Sequence, residues 1–171
     1  MPEKDWTDAL LDRLGTTRPR KEIEAYQVTA RISRLGLHIA RQQDEAFGRL
    51  GLNRGEVGVL GALLFAGPRQ QLSPTQLFKG LMLSSAGITS RLDRLERRGY
   101  VKRNRHPNDR RGVIVALTDA GRDVLQQAIA IDAEGEQALM SALTKDDRRA
   151  LVSLLKKLLA GVEPIAPAAP G

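Results

Sequence analysis

Apolar residues recur at helical spacing along most of this chain, and the pattern changes to short β-type runs only near residues 100–117. Residues 6–14 form a short amphipathic stretch, followed by a linker at 15–21 (GTTRPRK) with a breaker in its middle. Within residues 22–50, Val28, Ile32, Leu35 and Ile39 fall three or four apart, which predicts a long helix ended by Gly51. Asn53 can cap the next helix, which runs to Ala66 before a Gly67-Pro68 turn. Ser73-Pro74-Thr75-Gln76 presents a cap, a first-turn proline and a capping-box glutamine in order, so a short helix starts there and stops at Gly80. Ser84 or Ser85 caps another helix, closed by Gly99. Residues 100–105 and 113–117 read as two short strands around a polar loop at 105–111.

Thr118 can cap a long helix to Leu143, with Val124, Ala128, Ile131, Gly135 and Ala138 as a narrow seven-residue stripe. Thr144 with Asp147 starts a last helix, whose Leu151, Leu154, Leu155, Leu158 and Leu159 share one face. Two short helices, a tight turn and a hairpin make a winged helix-turn-helix. The expected fold class is mainly α (α+β), with long N- and C-terminal dimerisation helices around that head. The expected organisation is an added N-terminal helix and linker at 1–21, dimerisation helices at 22–50 and 118–162, a DNA-binding region at 51–117, and a disordered tail at 163–171.

Charge sharpens this reading. Between Ser84 and Gly112 stand nine basic residues against three acidic ones, which accounts for six of the chain's net +7. A basic excess concentrated on one element is the footprint of a duplex binder. Zero cysteines exclude disulfides, thiolate metal sites and a thiol-based sensor. Low aromatic content argues against stacking platforms for single strands. No run is apolar enough to span a bilayer, and residues 1–14 have no signal-peptide core, so a cytoplasmic protein without membrane contact is expected. His38 and His106 show no metal-ligand spacing, and no cofactor is expected.

On a helical wheel, Ile88, Leu92 and Leu95 fall in one sector and face the core. Ala86, Ser90, Asp93 and Arg97 fall opposite, with Gly87 and Arg94 alongside. Small residues near the helix start allow close approach to base edges, and serine and arginine can then bond bases or phosphates. Expected DNA contacts on the helices are Ser73, Thr75, Ser84, Ser85, Ala86, Thr89, Ser90, Arg94 and Arg97. On the hairpin they are Arg105, Arg110 and Arg111, since an arginine-bearing tip can enter a minor groove.

From about residue 28 to 159 the chain resembles the MarR family of regulators. The carrying motifs are LSPTQL, SSAGITSRLDRLERRGYVKR and NDRRGVIVALTDAGR. The resemblance implies a homodimer with intertwined terminal helices, one winged helix-turn-helix per subunit on an inverted-repeat operator, repression, and release by a small anionic or aromatic effector. It also implies that Arg111, third in the Asp-Arg-Arg tip, contacts the minor groove. The added N-terminal helix is similar to that of the urate-responsive branch, which gathers a tryptophan, two arginines and an aspartate in a cleft beside the recognition helix. Trp6, Arg91 and Arg103 match three of those positions, and Gly58 stands where the aspartate would be. The competing reading is that Trp6 packs the added helix down and Arg91 pairs with a carboxylate. No nucleophile elbow, P-loop, dinucleotide fingerprint or zinc-protease motif is present, so no enzyme is expected. The alternative function is a winged-helix dimerisation module without specific DNA binding, against which the arginine tip speaks.

Overall fold

The computed structural model of the chain describes residues 4–81, 85–106 and 109–162. Its elements in order are α1 (Trp6–Leu14), α2 (Arg20–Gly48), α3 (Arg54–Leu64), β1 (Gln71–Leu72), α4 (Pro74–Leu81), α5 (Ser85–Arg97), β2 (Val101–His106), β3 (Asp109–Leu117), α6 (Asp119–Met140) and α7 (Lys145–Ala160). They fall into two compact units, Met1–Asp132 and Ala133–Gly171, with the boundary inside α6.

Side-chain caps fix most helix starts. The Asn53 side chain accepts from the Glu56 N–H at 3.0 Å, and the Glu56 carboxylate accepts from the Asn53 N–H at 3.0 Å. Ser73 with Gln76 and Thr144 with Asp147 make the same reciprocal pair at α4 and α7. Helix α2 begins two residues before the predicted start, because Pro19 stands at its N-cap rather than inside a linker. The wing also differs from expectation. Strand β2 reaches His106 and β3 begins at Asp109, so strand replaces most of the expected loop, with a register shift between Arg105 and His106. Strand β1 completes an antiparallel sheet of order β1-β3-β2. The expected tail at 163–171 lies outside the described residues.

The core of the first unit joins Val59, Leu60 and Leu63 of α3 to Leu77 of α4 and to Ile88, Leu92 and Leu95 of α5. Val101 and Val115 close it from the sheet, and Val124, Leu125 and Ala128 from the start of α6. Gly121 marks the closest approach: a Cβ there would lie 2.0 Å from the Tyr100 carbonyl oxygen. In the second unit, α7 has no buried residue, and Leu151, Leu154, Leu155, Leu158 and Leu159 are all exposed.

Helix α1 is held on α2 by charge as well as packing. Arg31 of α2 bonds Asp5 at 2.8 Å and Asp8 at 2.7 Å, while Thr7 and Leu11 are buried. Both carboxylates are held below the usual aspartate range, first by the reciprocal backbone bonds of the α1 cap and then by Arg31. A depressed carboxylate pKa stabilises the fold above its unfolded value and loses that contribution as pH falls through the folded value. Helix α1 is therefore expected to stay docked from neutral pH down to the ordinary aspartate range, about 4, and to loosen as the pH falls below it. Emission from Trp6, the single tryptophan, reads this directly. In Arg31→Ala the transition should move to higher pH; an acid midpoint equal to the parent's would show that this clamp does not anchor α1.

Candidate nucleic-acid interface

Helix α5 is seated by Ile88, Leu92 and Leu95, each at most 2% exposed. That fixes which face looks outward, as the wheel predicts: Thr89, Ser90, Asp93, Arg94 and Arg97 are exposed. Thr75 on α4 and Arg105 on β2 are exposed as well. Ser73 is partly buried, and its hydroxyl oxygen is engaged by the α4 cap, accepting from the Gln76 N–H at 3.2 Å. Ser84 and the side chains of Ser85, Ala86, Arg110 and Arg111 lie outside the described residues.

The helix is tied to the wing on one side. Arg103 of β2 donates to Asp93 and to Glu96, each at 2.6 Å, and its backbone N–H donates to Glu96 at 3.0 Å. Burial opposes the Arg103 cation, but the bonds and charges of Asp93 and Glu96 outweigh it and hold its pKa above the ordinary arginine value. The pairing also neutralises Asp93, a carboxylate that would otherwise repel phosphate from the outward face.

On the other side the helix is tied to α2 and α3. Arg94 donates from Nε to Glu56 at 2.7 Å, and the Glu56 side chain is only 5% exposed. Arg98 donates to the Leu50 carbonyl at 2.9 Å and to that of Gly51, and lies over the Tyr100 ring at 4.9 Å. An open cavity of about 440 Å³ lies among Asn53, Glu56, Arg94, Arg97 and Arg98.

A second cavity, of about 300 Å³, is lined by Arg54, Gly55, Gly58, Leu81 and Arg91. The Nε of Arg91 is buried with no hydrogen-bond acceptor among the described residues. Arg91 can lie there because residue 55 is glycine: a Cβ would stand 2.1 Å from that Nε.

Trp6 and Arg103, the other two residues of the expected cleft, do not line this cavity. Trp6 is 60% exposed and carries Arg34 over its ring at 4.7 Å. Arg103 is taken by Asp93 and Glu96, one helical turn apart on α5. Arg91 faces this cavity, and Gly58 contributes to its wall. Sequence reasoning missed Glu56, Gly55 and Arg98. Glu56 had a readable signal, since it stands three residues after the Asn53 cap. Among the described residues no cluster of acidic or histidine side chains suits a metal, and no helix is long and apolar enough to cross a membrane.

The sequence pattern of the MarR family matches residues 50–112, the span that holds α3, the helix-turn-helix and most of the wing. The chain is also 32% identical to the HTH-type transcriptional regulator PecS of Dickeya dadantii over 141 residues, 82% of this chain and 85% of that protein. This chain belongs to the MarR family. As a member it is a DNA-binding transcriptional regulator of the winged helix-turn-helix type, in a family that is not enzymatic. Among solved structures it is similar to a mutant of MarR from E. coli complexed with operator DNA, with TM-score 0.70 and 31% identity over 80% of this chain and 96% of that one. It is also similar to Sco3205, a MarR family regulator from Streptomyces coelicolor in complex with DNA, with TM-score 0.73 and 25% identity over 90% of this chain and 98% of that one.

Proposed function

We propose that this MarR family member is a homodimeric repressor that holds an inverted-repeat operator until a small anionic or aromatic ligand releases it. In this reading, α5 lies in the major groove and presents Thr89, Ser90, Arg94 and Arg97, while the wing arginines Arg105, Arg110 and Arg111 reach the neighbouring minor groove. Ser73, Thr75, Ser84 and Ser85 contact phosphates near the starts of α4 and α5. Two heads would read half-sites about 34–36 Å apart. The dimer reading is supported by α7, whose leucine face is uncovered.

The observation that carries the ligand reading is Arg91. A buried guanidinium nitrogen without an acceptor costs free energy, and an anionic oxygen in the adjoining cavity would supply that acceptor. Arg91 belongs to α5 and the opposite wall to α3, so a ligand drawing on both would shift the recognition helix against its support. Release requires that the ligand bind the DNA-incompetent arrangement more tightly. With Gly58 in place of a carboxylate, ligands needing a hydrogen-bond acceptor there are disfavoured, and aromatic carboxylates fit better than urate. Trp6 and Arg103 belong to the response as supports of α1 and of the wing.

The test is DNA release followed by fluorescence anisotropy on a labelled duplex, titrating benzoates, hydroxybenzoates and purines. Arg91→Ala is expected to hold the duplex with near-parental affinity and to lose release by at least about tenfold in ligand concentration, the equivalent of one lost charge-assisted bond. An Arg91→Ala variant released at the parent's ligand concentration would sink the assignment.

A further inference from the structure

We propose that Glu56, on α3, is a positioning residue for base readout: it fixes the guanidinium of Arg94 so that its two terminal nitrogens are presented to a guanine. The inference rests on the reading that α5 enters the major groove. Glu56 is the one charged residue among the buried side chains described. Both of its oxygens are engaged, one by the Asn53 backbone N–H at 3.0 Å and the other by Arg94 Nε at 2.7 Å. Asn53 in turn holds the Glu56 N–H at 3.0 Å. The carboxylate therefore cannot turn without giving up the α3 cap or the arginine.

The consequence for Arg94 is geometric. The guanidinium is planar, and a bond at Nε sets the direction of the opposite edge. The edge that remains is the pair of terminal nitrogens, the fork that matches the O6 and N7 acceptors of guanine. The Arg94 side chain is 43% exposed, so its far end is reachable. An unrestrained arginine would lose rotamer freedom on meeting a base, whereas here that loss occurs on folding. Arg97 shares the outward face and is held differently: its Nε donates to the Asp93 carbonyl of its own helix, at 3.3 Å. The two neighbouring arginines thus take different tasks: Arg94 discriminates between bases, and Arg97 supplies charge to phosphate.

Selection from a randomised duplex library, followed by competition binding on the selected sequence and its single-base variants, tests this and itself yields the operator sequence. The parent is compared with Arg94→Ala, Arg97→Ala, Glu56→Gln and Glu56→Asp, each checked for folding by thermal melting. Gln keeps an acceptor for the Asn53 N–H but removes the charge; Asp keeps the charge but is too short to span both partners. Arg94→Ala should erase preference at one base pair of each half-site. Glu56→Gln and Glu56→Asp should lower discrimination at that same base pair, by about fivefold to tenfold for Gln, and leave the other positions as in the parent. Binding of Glu56→Gln to unrelated duplex should be equal to the parent's or stronger, because a negative charge has gone; a damaged fold would weaken it. Arg97→Ala should weaken binding to all sequences and flatten the salt slope without changing preference. If folded Glu56 variants keep full discrimination where Arg94→Ala loses it, the positioning role is overturned and the readout by Arg94 stands. If Arg94→Ala loses preference nowhere, Arg94 is not a base contact and the proposal falls with that reading.

Discussion

Leu154→Asp combined with Leu158→Asp is expected to leave the chain monomeric and unable to hold operator-length DNA. Both side chains lie on a helix without a buried residue, at 57% and 51% exposure. They recur one turn apart with Leu151 and Leu155, so the apolar surface is a continuous stripe. A lone chain leaves that stripe in water, and a second copy would cover it. Full burial of one leucine stabilises by about 1.5–3 kcal/mol, and the double variant removes four such groups per dimer while inserting four carboxylates. Loss of the second head makes each half-site bind alone, which weakens DNA binding roughly a hundredfold or more. Sedimentation at micromolar concentration reads the first effect and a mobility shift the second. The core of the first unit is untouched by these changes, so its melting should persist. A variant that still sediments as a dimer would remove α7 from the proposed interface, and a monomeric parent would remove the dimer itself.

Gly121→Ala is expected to destabilise the first unit by about 3 kcal/mol, which lowers its melting temperature by roughly 6–12 °C. The added Cβ would fall 2.0 Å from the Tyr100 oxygen and 3.0 Å from Leu117 Cδ1. Neither neighbour can withdraw easily. The Tyr100 oxygen accepts the Thr118 N–H at 3.2 Å, and the Thr118 hydroxyl donates to Gly99 at 2.7 Å while accepting from the Gly121 N–H at 3.0 Å. The start of α6 and the root of the wing are thus one joint, and strain there should weaken DNA binding as well. Gly61 in α3 is the control, since a Cβ there meets nothing within 4 Å. Gly61→Ala should be neutral or stabilising by up to about 1 kcal/mol. Equal melting of parent and Gly121→Ala would show that the backbone yields at little cost.

The parts of this molecule that are legible in its sequence are those set by neighbours along the chain. Asn53, Ser73 and Thr144 announce helix starts because a cap needs only the residue three positions on. Ile88, Leu92 and Leu95 announce the seated face of α5 by spacing alone, and the outward position of Ser90, Asp93 and Arg97 follows. Strand β1 is not legible, because two residues carry no period; it exists by pairing with β3 across a long separation. The wing ladder is longer than its apolar pattern suggests because residues 109–112 are polar or glycine, and backbone pairing does not require apolar side chains. The arrangement around the expected cleft was illegible for a related reason. Motif resemblance placed Arg103 beside Arg91, but Asp93 and Glu96 of α5 hold Arg103 in a pair of short bonds. The void that admits Arg91 depends on the absence of a side chain at Gly55, a feature that no spacing of charged residues announces.

The grip of Arg98 on the carbonyls of Leu50 and Gly51, just past the end of α2, has a mechanical meaning. Helix α2 has 29 residues and is therefore an arm of roughly 43 Å at 1.5 Å per residue. Arg98 forms a hinge between the foot of that arm and the end of the recognition helix. A pivot of about 5° at this hinge carries the far end of such an arm through roughly 4 Å, more than the length of a hydrogen bond. A small change of angle at the reading head would then appear as a large displacement at the far end of α2.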